Sequence, residues 1–73
     1  MKTRYFTFGQ SHIHRYKNHI LDKDCVVRIS AEDPRSVMFD NFEDVWAFEY
    51  EDMPDMSLFC RGIYDLTNNK WEN

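Results

Sequence analysis

Tyr5-Phe6-Thr7-Phe8-Gly9-Gln10-Ser11-His12-Ile13-His14 is the stretch on which the reading of the chain turns. Phe6 and Phe8 fall on one side of an extended backbone, Tyr5 and Thr7 on the other. Aromatic residues and threonine at period two predict a strand over about 4–8. Gly9 ends it, supplying a backbone geometry that other residues resist. Two histidines then follow, one residue apart. The stretch therefore offers both the first layer of a core and the first candidate site.

Beyond it, residues 10–24 are polar and show no clear period. Ile13, Ile20 and Leu21 are the aliphatic anchors, and Asn18 with Asp22-Lys23-Asp24 supplies turn chemistry. An excursion this long is predicted to be either a functional loop or an extended hairpin arm. Cys25-Val26-Val27-Arg28-Ile29-Ser30 is β-branched and predicts a second strand over 25–30, with Val27 and Ile29 sharing one face and Val26 and Arg28 the other. Asp33 then suits a helix N-cap, because its carboxylate can accept from free backbone N–H groups. Pro34 suits the first helical position, where its missing N–H costs nothing. The helix is predicted over about 34–44. Its buried stripe would be Val37, Met38, Asn41, Phe42 and Val45, with Phe39 at the edge, and its acidic outer face Asp40, Glu43 and Asp44.

Trp46-Ala47-Phe48-Glu49-Tyr50-Glu51 alternates most cleanly of all. It predicts a strand with Trp46, Phe48 and Tyr50 buried and Glu49 and Glu51 in water. Residues 52–57 read as a loop around Pro54. A last strand is expected over about 58–64, with Gly62 as a bulge or kink. Residues from Thr67 onward read as polar and frayed, with Trp71 able to fold back on the core. The order β-β-α-β-β makes this an α+β chain: a small antiparallel or mixed sheet with one helix packed on one face. A helix joining parallel strands would cross over right-handed.

At 73 residues the chain is expected to form one small domain. A chain of this size buries only about 60% of its unfolded surface. Two Trp, four Tyr and six Phe partly compensate with large apolar area. A core this small leaves little room for a deep pocket, which favours a binding module over an enzyme. Residues 1–28 carry six Lys or Arg against two Asp, and residues 29–55 carry nine Asp or Glu against Arg35. The net charge of −4 thus hides a basic, histidine-bearing N-terminal third and a strongly acidic middle. Met1-Lys2-Thr3-Arg4 leads straight into a strand pattern without an apolar signal region, and no stretch approaches the roughly 20 apolar residues of a membrane span. Cys25 and Cys60 form no CxxC pair. The expectation is a cytosolic protein with free thiols, both in strand patterns and inert in packing.

The segments Tyr5-Phe6-Thr7-Phe8-Gly9-Gln10-x-His12-x-His14, Asp22-Lys23-Asp24-Cys25-Val26, Val37-Met38-Phe39-Asp40-x-Phe42 and Trp46-Ala47-Phe48-x-Tyr50-Glu51 together resemble a family of small proteins of tailed bacteriophages. The resemblance spans roughly residues 4–64. Where that family has a glycine just after the helix, this chain has Glu43-Asp44-Val45. The resemblance implies a phage origin and expression in the cytoplasm of an infected bacterium. It carries over no activity and no catalytic residue.

The chemistry on offer divides into three sets. His12, His14 and His19, near Cys25, Asp22 and Asp24, are the metal-like cluster, but no CxxC, no HxxxH with a partner Glu and no second histidine pair accompanies them. No metal and no cofactor is therefore expected, and structural or solvent-facing histidines are the ordinary reading. Gly9, His12, His14, Arg15 and Lys17 could bind phosphate or a nucleotide, against the plainer reading of a solvated basic loop. Tyr5, Phe6 and Phe8 beside basic residues suggest a base-stacking platform, but an acidic chain without an RNP-like motif makes direct nucleic-acid binding the weakest option. No nucleophile and base are spaced for catalysis. The acidic run remains. Asp40, Glu43, Asp44, Glu49 and Glu51 can present a row of negative charge that speeds encounter with a basic partner. With a phage origin, the expected function is non-enzymatic: an accessory protein that binds and modulates a host bacterial protein, such as a defence or nucleic-acid-processing factor. The alternative is a nucleotide, phosphate or metal module in the histidine-rich loop. An unpaired edge strand would also let two copies form a homodimer.

Overall fold

The computed structural model describes residues 1–10, 12–42 and 45–72. The chain folds in the order β1 (Lys2–Phe8), β2 (His14–Tyr16), β3 (His19–Leu21), β4 (Cys25–Ala31), α1 (Pro34–Asn41), β5 (Ala47–Tyr50), a 3-10 turn (Met56–Leu58), β6 (Gly62–Asp65) and β7 (Lys70–Glu72). One mixed sheet has the strand order β5-β1-β4-β6-β7, and β2 with β3 forms a separate hairpin. The α+β class and the single helix are as the sequence suggests. The simple β-β-α-β-β order is too short by the hairpin and by β7.

The sheet grows from the middle. β1 pairs antiparallel with β4 from Lys2↔Ala31 to Thr7↔Val26, and with β5 from Tyr5↔Tyr50 to Phe8↔Ala47. β4 pairs parallel with β6, and β6 antiparallel with β7. Residues opposite one another share a face, so the register sorts the side chains. Phe6, Phe8, Val27, Ile29 and Tyr64 fall on one face and form the core with Leu21, Cys25, Met38, Phe42 and Leu66. Thr7, Val26, Arg28, Phe48, Tyr50, Ile63 and Asp65 fall on the other.

The first face is covered by α1 and the hairpin. Asp33 caps α1 by accepting from the Ser36 N–H at 3.3 Å and the Ser36 hydroxyl at 2.7 Å, and Pro34 occupies the first turn. The helix ends at Asn41, earlier than the expected 44, because Phe42 turns extended and its N–H closes on the Met38 carbonyl. Its buried stripe is Pro34, Met38 and Phe42, at spacing four. Asn41 faces water, donating its side-chain amide to the Val37 carbonyl at 2.8 Å.

The second face is not bare. β5 and β6 are parallel, with β1 and β4 between them. The crossover over 51–61 runs in the direction opposite to the β4–α1–β5 crossover. Right-handed connections place the two on opposite faces. Val26 at 0% exposure and Thr7 at 4%, both outside the main core cluster, fit that cover. The expected strand over 58–64 is therefore shifted: its first part is the end of this crossover, and β6 begins only at Gly62. There φ is +88°, a conformation glycine adopts without the steric penalty of a Cβ.

Residues 10–24 hold the β2–β3 hairpin. Lys17 and Asn18 have φ of +45° and +70°, the type I′ geometry of a two-residue turn. Opposite pairs His14↔Leu21 and Tyr16↔His19 put four side chains on one face, with Arg15 and Ile20 on the other. The four-residue face lies on the core. His14 stacks on Phe8 at 4.6 Å between centroids and meets Phe42 edge-on at 5.7 Å; Tyr16 contacts Phe42 and Tyr64. His19 sits 4.9 Å from Tyr64, and Trp71 of β7 closes on the same ring at 5.2 Å. Of the two alternatives for this excursion, the hairpin arm is what forms.

Candidate functional site

The histidine loop does not converge. His14 points inward and spends its ring on Phe8 and Phe42. Its Nε2 is buried without a hydrogen-bond partner among the described residues. Burial, with the nearby His12 charge, pushes its pKa below the ordinary histidine value. His19 lies against Tyr64 and Trp71, farther along the hairpin. His12 and Arg15 are exposed, and the Lys17 ammonium lies over the Tyr16 ring at 5.8 Å. Among the described residues no group of three or more His, Cys, Asp or Glu is placed to hold a metal ion.

Gly9 has a different role from a turn hinge or an anion cradle. Its N–H donates to the Trp46 carbonyl at 2.6 Å, continuing the β1–β5 ladder. A Cβ here would lie 2.8 Å from Phe48 Cε2 and 3.1 Å from the Trp46 carbonyl oxygen. The missing side chain is what lets β5 and its rings close over the end of β1.

The cysteines are both free. Cys25 is buried, and desolvation pushes its thiol up to about 11. Cys60 is exposed and precedes β6, which corrects the expectation that it packs within a strand.

The acidic set is divided by the fold. Glu49 lies on the helix-bearing face of β5, opposite Phe6. It meets Arg4 at 3.7 Å and Arg35 at 4.0 Å, while Glu51 meets Arg4 at 3.8 Å. The basic N-terminal third and the acidic middle therefore interleave here and do not form opposite poles. Asp40 is exposed on α1 and, like Glu32 and Asp52, makes no ion pair among the described residues. Glu43 and Asp44 lie outside the described residues. A second charged cluster crosses the other face: Arg28 bridges Asp65 at 3.1 Å and Glu72. Asp65 is almost fully buried, yet its carboxyl is held below the usual carboxylate value: Asn68 and Arg28 hydrogen bonds outweigh the opposing desolvation.

The clearest departure from sequence expectation is β5 itself. Trp46, Phe48 and Tyr50 were expected inside and are 61, 48 and 37% exposed. β5 is an edge strand of the sheet, and its aromatic face points away from α1. Phe39, 42% exposed, stands on the helix side of the same edge. There it lines a shallow groove of about 230 Å³ with Phe6, Arg35, Ala47, Phe48 and Glu49. This edge is thus flanked by exposed rings on both sides, those of β5 on one and Phe39 of α1 on the other, with a rim of charge. Alternation identified the faces of this strand correctly, but it carries no information on which face is covered. The ion pairs of Glu49 with Arg4 and Arg35 hold the acidic side toward the helix, and they form only once β1, α1 and β5 have come together.

Comparison with protein-family models, with curated proteins and with solved structures gave no match. No helix among the described residues is long and apolar enough to cross a membrane.

Proposed function

We propose that this chain is a non-enzymatic accessory protein of a tailed bacteriophage that binds and modulates a host bacterial protein in the host cytoplasm. The phage origin rests on the resemblance of the Tyr5–His14 and Trp46–Glu51 segments. The mode of action rests on one observation: Asp40 and Asp52 are exposed and make no ion pair among the described residues, while Arg4 and Arg35 are engaged by Glu49 and Glu51. Negative charge in excess of its local partners attracts a basic surface over a Debye length and speeds encounter. The inward histidines and the shallow grooves give a small-molecule ligand less purchase than a protein partner would find.

The test is affinity purification from infected cells, read by mass spectrometry, with wild type and with Asp40, Glu43 and Asp44 all changed to lysine. The partner is expected to be lost with the triple reversal, and wild-type capture to weaken as salt rises. Capture that survives the reversal with unchanged salt dependence would falsify the acidic-surface reading.

A further inference from the structure

We infer that the β5 edge is a self-association surface, and that its occupant is the β5 edge of a second copy in antiparallel register about Phe48. The inference is independent of the host partner proposed above and rests on three observations.

The first is the direction of the backbone groups. The Gly9 N–H donates to the Trp46 carbonyl. In the register that pairs Thr7 with Phe48 and Tyr5 with Tyr50, bonded and non-bonded pairs alternate. Trp46, Phe48 and Tyr50 therefore bond to β1, and the N–H and C=O groups of Ala47 and Glu49 point out from the open edge. Among the described residues no strand pairs with that edge, because β5 is terminal in the strand order.

The second is self-complementarity. A two-fold axis perpendicular to the sheet keeps side chains on their own faces. Centring it on Phe48 pairs each outward-pointing Ala47 with Glu49 of the second copy. That makes four backbone hydrogen bonds inside the strand. Phe48 then faces its own counterpart at a non-bonded position, where side chains approach most closely. Trp46 faces the second copy's Tyr50. A shift centring the axis on Glu49 would oppose two carboxylates, and one centring it on Ala47 would draw four of its six bonds from Val45, beyond the strand. The charge pattern and strand length therefore select one register.

The third is area. Trp46, Phe48, Tyr50 and Phe39 are each between 37 and 61% exposed. At the area such rings bury when fully covered, they offer about 400 Å² of apolar surface per copy. Twice that, about 800 Å², is below the roughly 1,200 Å² of a stable interface. The pair is accordingly weak and concentration-dependent. It joins two five-stranded sheets into one, with both copies of α1 and of Asp40 on the same side.

Light scattering after size exclusion, over about 10 µM to 1 mM, tests the association. The mass is expected to rise from one chain toward two. Ala47→Pro removes an outward N–H without touching the β1 ladder, and an edge strand accommodates it. This variant is expected to keep the circular dichroism of wild type and remain one chain throughout. Register is tested in a Cys60→Ser background. Phe48→Cys should form a disulfide-linked pair under mild oxidation, since cross-strand non-bonded positions approach disulfide distance. Ile20→Cys, on the outer face of the hairpin, should not. A wild-type chain that stays single at every concentration overturns the inference. So does an Ala47→Pro variant, folded, that associates like wild type, or a Phe48→Cys variant that links no faster than Ile20→Cys. Should Ala47→Pro fail to fold, the wild-type mass and the crosslinking decide between these outcomes.

Discussion

β5 and the β2–β3 hairpin are the two places where ring-bearing side chains meet polar sequence, and the fold treats them in opposite ways. β5 alternates aromatic and acidic residues as a half-buried strand should, yet its rings face outward at the edge of the sheet. The hairpin segment is polar and histidine-rich, yet His14, Tyr16, His19 and Leu21 all turn onto the core. Which face of a strand is buried depends on what crosses it, and that is a property of topology. The helix side of the sheet receives α1 and the hairpin together, so β5 places its smaller and ion-paired residues, Ala47 and Glu49, on that side. Burial of an imidazole costs less than burial of a charge, since the ring can remain neutral and stack.

Truncating one side chain from each region separates the covered hairpin from the open edge. Leu21→Ala removes a side chain with no exposed area from a polar segment without a clear period. It should cost about 2–5 kcal/mol. In a domain of this size that lowers Tm by at least about 10 °C. Gly9→Ala should come next. The added Cβ meets the Trp46 carbonyl at 3.1 Å, and overpacking of this kind costs about 1–3 kcal/mol. Phe48→Ala, in the segment that looks most like a buried strand, should cost only about 1 kcal/mol when measured at dilution, because half of the ring is already in water. Thermal melts of the three variants, with Leu21→Ala no worse than Phe48→Ala, would reverse the assignment of covered and open surfaces.

A smaller effect sharpens the hairpin side. The folded-state pKa of His14 lies below its ordinary value near 6.5. The unfolded chain therefore binds the proton more readily in the window just below pH 6.5. The stability contribution is full above that pH and is lost as pH falls through it toward the folded pKa. His14→Phe keeps the stacked ring and removes the titration. Its stability between pH 5 and 7 should vary less than that of wild type in urea unfolding. An equal slope would mean that the imidazole is solvated and charged in the folded chain.

Much of the central fold was legible because local chemistry and tertiary position agree there. β1 and β4 are β-branched and aromatic strands placed inside the sheet, and Asp33-Pro34 starts the helix where capping geometry requires. The hairpin was obscured because its inward positions are histidine and tyrosine, which a hydropathy reading counts as polar. The signal was nonetheless present: His14-x-Tyr16 and His19-x-Leu21 lie symmetrically about Lys17-Asn18, a pair that tolerates positive φ less readily than Asn-Gly. The start of β6 is hard to read because Leu58 and Phe59 look like strand residues, while the parallel pairing to β4 that sets its start at Gly62 is long-range. Of the site residues, Asp40 stands where the sequence placed it, on the outer side of α1. The ion pairs that tie up Glu49 and Glu51 come from Arg4, more than forty residues away in sequence, and local reading does not reach them.

Amide hydrogen exchange along β5 reads out whether this strand is an open edge completed by a second copy. At low concentration Phe48 and Tyr50 amides, bonded to β1, should be protected, while those of Ala47 and Glu49 exchange freely. As concentration rises, Ala47 and Glu49 should gain protection together, in step with the mass measured by light scattering. Protection of Ala47 and Glu49 that is independent of concentration, or its absence at the highest concentration, would mean that the β5 edges do not pair.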